Sequence, residues 1–502
     1  SIDPGDHAAS YVSPQATLAN ANLNLGYAAM ELNDYGAAQM YFKNARQEES
    51  TGSALSSNAL LREADAYFMQ KDFKEAKPLY DKIIDANTSE SDYARLQKAI
   101  IAGIDGKTED KVKLLNQIIN KTPPSGYAAN ARYELGLTYI EDDKYQAAIT
   151  ALQPLLDNNA GKEYSVKAWM KTAFAYQQLN KDDKAIEGYK HIITNYPASE
   201  ERHDALEALR NLYIEQNKPD AYAAFLKENN VSSDANQSLD STYYSAAETQ
   251  IAASKWAEAK TSLTSYLEKY PDGLFTTRAH YYLAESHFHL KEYDAALNEY
   301  NKVLSLPWNE FSENSAKTAA SIAYEKKDYT AANTHYQQLR RSAMSQENLQ
   351  LAYTGLMRTE YNQNNFEAAA RYADTLSALP ETDAKIADEV AFYKAKALQQ
   401  QSKPDEALAI YQQLKNTKNS EIADEARYRI AEIHFSKDHL KEAEAQAAAN
   451  LKSNSGNNYW VVKSYILLAD VMTKQKDYFN AKATLQSIIK NARYEELKLE
   501  AT

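Results

Sequence analysis

The chain has 502 residues, with 56 Lys and Arg against 69 Asp and Glu, giving a net charge of −13. It has no cysteine, 13 glycines and 12 prolines but 38 tyrosines, and its mean hydropathy is −0.65. These values exclude disulfides, zinc-thiolate sites and cysteine nucleophiles, argue against Gly-rich phosphate loops and hairpin-dense β folds, and disfavour phosphate backbones and anionic membranes as partners.

From the N-terminus, residues 1–16 open with Ser1-Ile2-Asp3-Pro4-Gly5 and lack the apolar core of a signal peptide. From residue 17 a pattern recurs: a polar residue, an aromatic, two variable residues and alanine. It runs Asp34-Tyr35 to Ala38 and Asp72-Phe73 to Ala76, thins out at Lys111, and returns at Lys144-Tyr145 to Ala148. Ala185 keeps the alanine without the aromatic, and Tyr222 stands where the spacing demands another copy. Residues 229–238 follow, the longest polar, small-residue stretch, read as a loop or joint. Beyond it come Lys255-Trp256 to Ala259, Glu292-Tyr293 to Ala296, Asp328-Tyr329 to Ala332 and Asn365-Phe366 to Ala369. Lys403-Pro404 to Ala407, His439-Leu440 to Ala443 and Asp477-Tyr478 to Ala481 complete thirteen anchors with a period near 37.

A small residue stands twelve before most anchors, as at Gly26, Ala64, Gly136 and Ala173, while Arg210 and Met357 break the series. A large residue stands four after, as at Phe42, Tyr80 and Tyr300, and an aliphatic seven after, as at Ile83 and Leu339. Steps of four and seven trace one helix face. Each unit is therefore predicted as two antiparallel helices, A and B, that approach at the small residues. Scarce glycine reads as the mark of inter-helix loops that seldom need it.

The predicted fold is an all-α solenoid with a first half at 17–228, the joint at 229–238 and a second half at 239–493. The anchors keep phase from Tyr222 to Ala259, so stacking is expected to run through the joint. Residues 494–502 either cap the array or open a further unit, and in the second case the chain is a piece of a longer array.

With the anchor counted as unit position 20, the pattern has a small residue at position 8, alanine at 20 and a large residue, often aromatic, at 24. Proline falls near 32, at Pro123, Pro197 and Pro271. This resembles the tetratricopeptide repeat over roughly residues 17–493, in units slightly longer than the usual period of about 34. The resemblance implies a right-handed superhelical solenoid of about 13 helix-turn-helix units. It also implies a non-enzymatic scaffold for protein–protein interaction.

In that family helix A lines the concave side, mainly through positions 2, 5, 9, 12 and 13. Positions 5 and 12 here carry Phe68, Tyr133, Tyr244, Tyr281, Phe288, Tyr324, Tyr361, Phe392, Tyr428 and Phe435, with Arg278, Asn314 and Lys317 as polar neighbours. The partner-binding groove is expected at Tyr244, Arg278, Tyr281, Phe288, Lys317, Tyr324 and Tyr361, taking a peptide or helix of a protein partner. The competing reading is that these tyrosines only pack between units. The carboxylate clamp of chaperone-binding relatives is not assembled, since Ser321 stands at position 9 beside Lys317, the only position-5 lysine.

Tyr196-Pro197 and Tyr270-Pro271 each precede a helix with alanine-based spacing. They look like repeats of bacterial periplasmic proteins of the Tol–Pal coordinator and outer-membrane assembly lipoprotein types. The stretch from Leu239 to Tyr329 is similar to repeat arrays of the Bacteroidetes envelope. The implied location is the periplasm or cell envelope, with any signal peptide or lipid anchor outside this sequence, and the cytoplasm is the alternative. A glycan-binding or lytic-transglycosylase-like helical array and a cytosolic co-chaperone are the alternative functions.

No residue set points to catalysis, a cofactor or a metal. Ile101 to Thr108 ends in Gly106-Lys107-Thr108, but Ile101 stands where a phosphate loop needs its first glycine. His287 and His289 are two apart and do not share a helix face. Acidic pairs such as Asp142-Asp143 fall at predicted turns, where they cap helices. No run of 18 apolar residues occurs, so no segment reads as a membrane span.

Overall fold

The computed structural model describes residues 14–157, 163–231, 235–379, 384–452 and 458–502. Among them are 27 α-helices and no strand. Consecutive helices pair as thirteen A–B hairpins, followed by one short helix. The chain divides into two compact units, Ser1–Ser233 and Asp234–Thr502.

The first unit holds hairpins 1–6. These are α1 (Pro14–Glu31) with α2 (Tyr35–Gln47), α3 (Ala54–Met69) with α4 (Phe73–Asp85), and α5 (Ser91–Ile104) with α6 (Thr108–Ile119). Then come α7 (Ala128–Glu141) with α8 (Tyr145–Leu152), α9 (Ser165–Gln178) with α10 (Asp182–Asn195), and α11 (Glu201–Glu215) with α12 (Pro219–Glu228).

The second unit holds hairpins 7–13. These are α13 (Ala235–Ala252) with α14 (Trp256–Lys269), α15 (Thr276–His289) with α16 (Tyr293–Ser305), and α17 (Ser312–Glu325) with α18 (Tyr329–Ser342). Then come α19 (Gln346–Asn362) with α20 (Phe366–Ser377), and α21 (Ala384–Gln400) with α22 (Pro404–Leu414). Last are α23 (Ser420–Ser436) with α24 (Leu440–Lys452), α25 (Asn458–Lys474) with α26 (Tyr478–Asn491), and the short α27 (Glu495–Glu500).

The recurring motif has a local physical cause. Its polar residue is the N-cap of helix B, and Asp34, Asp72, Asp328 and Asp477 each accept a backbone N–H from three residues on. The anchor N–H then closes the first turn, as from Ala38 to the Asp34 carbonyl at 2.9 Å. The anchor alanines are buried where helix A crosses close by. Gly26 shows how close: a Cβ there would sit 2.4 Å from the Phe42 ring.

Two exceptions in the sequence, Met357 and Lys111, are compensated. Met357 is large where other units are small, and it meets Ala373 where other units place a large residue; both are fully buried. In hairpin 3 the anchor is Lys111, whose chain lies over Gly103 and reaches Glu134 at 3.5 Å. The segment ending Gly106-Lys107-Thr108 is the A–B turn of that hairpin.

One expectation needs correction. All thirteen A–B turns contain a residue with positive φ, five before the anchor, and only Gly106 among them is glycine. The others are Asn, Lys, Asp or Ser, such as Asn33, Lys327, Asp438 and Ser402. Each ends helix A with a paired return, as Asn33 N–H to Met30 and Asp34 N–H to Ala29. The loops do need the left-handed conformation; residues other than glycine adopt it here.

Of the predicted divisions, residues 1–13 of the N-terminal segment and 232–234 of the joint lie outside the described residues.

Candidate functional site

The seven groove residues all fall on helices A of the second unit. Tyr244 lies on α13; Arg278, Tyr281 and Phe288 on α15; Lys317 and Tyr324 on α17; and Tyr361 on α19. The repeat spacing sets this placement.

Two aromatic contacts recur around them. A position-12 ring meets the first residue of its own helix B edge-on: Phe288–Tyr293 at 5.8 Å, Tyr324–Tyr329 at 5.6 Å and Tyr361–Phe366 at 5.4 Å. Phe68–Phe73 in the first unit does the same at 5.6 Å. A position-5 ring stacks on the N-cap residue of the next helix A, as Tyr244 on Phe275 and Tyr281 on Phe311, both at 4.6 Å. Such pairs contribute about 0.5–1.5 kcal/mol beyond area burial. Packing between and within hairpins therefore accounts for part of every one of these rings.

Exposure separates them. Tyr244 is only 2% exposed and offers a partner no surface. Tyr281, Phe288, Tyr324 and Tyr361 are half-buried, while Lys317 is exposed. Burial pushes the Tyr281 and Tyr324 phenols upward, so both stay protonated at neutral pH. Asn314 beside the Tyr281 hydroxyl and Asn362 beside that of Tyr324, each on the following helix A, oppose that upward shift.

The charges divide the face further. Arg278 stands over Phe311 at 5.9 Å and touches Glu310 at 3.1 Å, an exposed pair of little strength. No ion pair holds Lys317 among the described residues. From α19 onward the pattern changes. Arg358 grips Glu389 through two N–H···O bonds, Lys396 meets Glu425 at 3.3 Å, and Arg429 binds Glu425 and Glu432. Tyr361 belongs to this region, with Tyr393 at 5.3 Å and the Lys396 ammonium 5.2 Å over its ring. A cavity of about 810 Å³ opens there beside Glu389, Phe392, Tyr393, Glu421 and Glu425.

The structure thus brings Arg278, Tyr281, Lys317 and Tyr324 onto the A helices of two adjacent hairpins and leaves Tyr361 among ion pairs. Sequence reasoning missed Arg358, Glu389, Lys396, Glu425 and Arg429. Their signal was present: Arg358 and Lys396 hold position 9, and Glu389 and Glu425 hold position 2 of the next unit.

Among the described residues, no group of three or more His, Asp or Glu side chains is placed to hold a metal, and no helix is long and apolar enough to cross a membrane. His287 bonds Glu292 at 2.6 Å, and His289 stacks on Trp256 at 4.0 Å.

Models described as tetratricopeptide repeat match residues 29–100, 167–199, 244–309 and 463–492. In these segments the chain matches the tetratricopeptide repeat. No curated protein matches the chain in sequence. Among solved structures it is similar to yeast Tom70, at 15% identity and TM-score 0.31, covering 97% of this chain and 94% of that one. The C-terminal part of a TPR repeat-containing protein from Cytophaga hutchinsonii is similar at 16% identity and TM-score 0.38, over 51% of this chain and 97% of that one. YrrB, described as a TPR protein with an unusual peptide-binding site, is similar at 15% identity and TM-score 0.30, over 40% of this chain and 96% of that one.

Proposed function

We propose that the protein is a non-enzymatic interaction scaffold. Its second unit presents the A-helix face of α15 and α17 to an extended peptide or helix of a protein partner, in the bacterial cell envelope. The observation that carries this reading is the contrast along one face. Arg278, Tyr281, Lys317 and Tyr324 combine half-buried rings with cations not committed to strong internal pairs, whereas on α19, α21 and α23 a cation at position 9 of one helix A pairs with a glutamate at position 2 of the next. Rings with little entropy to lose, next to an available cation, suit a partner that supplies apolar side chains and a carboxylate.

The envelope location rests on the Tyr-Pro punctuation at Tyr196-Pro197 and Tyr270-Pro271 and on the absence of cysteine. Fractionation of the native organism tests it: recovery with cytosolic markers would overturn the location and leave the groove reading standing.

The groove itself is tested by charge reversal. Lys317→Glu with Arg278→Glu alters the surface and leaves the packed rings in place, so helicity should hold while the partners co-purifying with wild type are lost. The control is Lys291→Glu in an exposed A–B turn. Equal recovery with both variants would place the binding surface elsewhere.

A further inference from the structure

The position-5 rings carry a second signal, and it lies in an exception. Five hairpins have an aromatic at position 5: Tyr133, Tyr244, Tyr281, Phe392 and Tyr428. In four of them the residue twenty-one before the next anchor is also aromatic, and the two rings touch. Tyr133 meets Tyr164 at 5.2 Å, Tyr244 meets Phe275 and Tyr281 meets Phe311 at 4.6 Å, and Tyr428 meets Trp460 at 5.3 Å. For Phe392 that second residue is Ile422. A branched aliphatic does not cover the face of a ring as a second ring does. The cavity of about 810 Å³ at α21, α23 and the loop before α23 has both Phe392 and Ile422 in its wall. It opens where the fifth pair lacks its second ring, and its size is that of a ligand pocket.

The rest of the wall has a distinct charge pattern. Four carboxylates line it, Asp388, Glu389, Glu421 and Glu425, against one cation, the exposed Lys418. Glu389 and Glu425 are already paired, with Arg358, Lys396 and Arg429, none of which lines the cavity. Asp388 and Glu421 differ. The Thr417 hydroxyl donates to Asp388, but no ion pair holds either carboxylate among the described residues.

We propose that this cavity takes an arginine side chain of a protein partner. The guanidinium lies on Phe392 in the place of the absent ring, and its N–H groups are directed to Asp388 and Glu421. The chain makes the same combination with its own arginines. Arg429 stands 5.5 Å from both the Tyr428 and Trp460 rings while binding Glu425 and Glu432. Arg278 stands 5.9 Å over Phe311 beside Glu310. Other side chains meet only half of the demand. An aromatic would restore the stacking but strip water from two carboxylates without replacing it. A lysine would answer the charge, but its ammonium is a compact, strongly hydrated point that does not lie flat on a ring. Arginine is planar and charged, so it satisfies both. A chain of net charge −13 also attracts cationic segments from a distance. This site goes beyond the α15–α17 face and does not depend on it.

Saturation-transfer NMR on the full chain tests the proposal with N-acetyl-L-arginine amide in excess. The amides of N-acetyl-citrulline, N-acetyl-lysine and N-acetyl-phenylalanine are the comparisons. Transfer should be strongest to the arginine side chain. Ile422→Phe supplies the missing ring, so it should abolish this transfer with helicity unchanged. Asp388→Asn with Glu421→Gln keeps the cavity and removes the uncommitted charge, and should weaken binding about tenfold. Lys317→Glu should leave it at wild-type strength, which keeps this result separate from that of the α15–α17 face. No transfer to the arginine amide, or transfer equal to that of the citrulline amide, overturns the inference. So does a preference for the lysine or phenylalanine amide, or undiminished binding in the Ile422→Phe or the double variant.

Discussion

Arg358 on α19 holds Glu389 on α21 through Nε and Nη2, at 2.5 and 2.7 Å to its two carboxylate oxygens. The pair ties hairpin 10 to hairpin 11 with its fork largely shielded from water, where charge-assisted bonds contribute most. Arg358→Ala should destabilise the second unit by about 2 kcal/mol, in the range for hydrogen bonds to charged groups. Arg358→Lys should recover only part, because an ammonium cannot reproduce the two-point contact. Denaturant unfolding of both variants checks this. An Ala variant as stable as wild type would make the pair a surface ornament.

Glycine at position 355 is dictated by the neighbouring hairpin. A Cβ there would lie 2.3 Å from Cε1 and Cζ of Tyr336, a ring that is itself buried. Gly355→Ala should therefore cost about 1–3 kcal/mol by overpacking, despite alanine's better helix propensity. Thermal melting decides the sign.

The A–B turns offer a gain in the opposite direction. Lys327 sits at φ 61° in an exposed turn, a conformation that burdens any residue with a Cβ. Lys327→Gly should raise stability by about 0.5–1 kcal/mol, the relief of strain exceeding glycine's larger unfolded-state entropy. Gly106→Ala, at φ 71°, should lower it for the same reason.

His335 gives the fold a pH dependence of defined sign. Burial depresses its pKa below the usual 6.5, against the opposing influence of Gln338 and Asp328. The unfolded chain then takes up a proton before the folded one does. Stability from this group is complete above about pH 6.5 and declines as pH falls from there through the lowered folded value. His335→Gln should flatten the stability profile between neutral and mildly acidic pH, measured by urea unfolding at several pH values.

The hairpin fold was legible because its cause is local and repeated thirteen times. N-cap, aromatic and anchor alanine each satisfy a geometric demand that any single copy states weakly. Even the irregular hairpins 3 and 6 follow, since Lys111 and Tyr222 kept the spacing. The candidate site was legible only in part. A tyrosine that packs and a tyrosine that binds occupy the same position in the same pattern, so Tyr244 looked like Tyr281 until burial separated them. The ion pairs on α19, α21 and α23 span about 30 residues each, and only comparison of position 9 in one hairpin with position 2 in the next would have paired them. The positive φ of the A–B turns was hidden because lysine, serine and asparagine do there what glycine usually signals.

The most direct measurement is site-specific photo-cross-linking. A photoreactive residue is placed at position 317 on the exposed side of α17, and separately at position 371 on the exposed side of α20. The account predicts that the partner is captured from position 317 and not from position 371. Capture from position 371 with none from position 317 would contradict the assignment of this face as the binding surface.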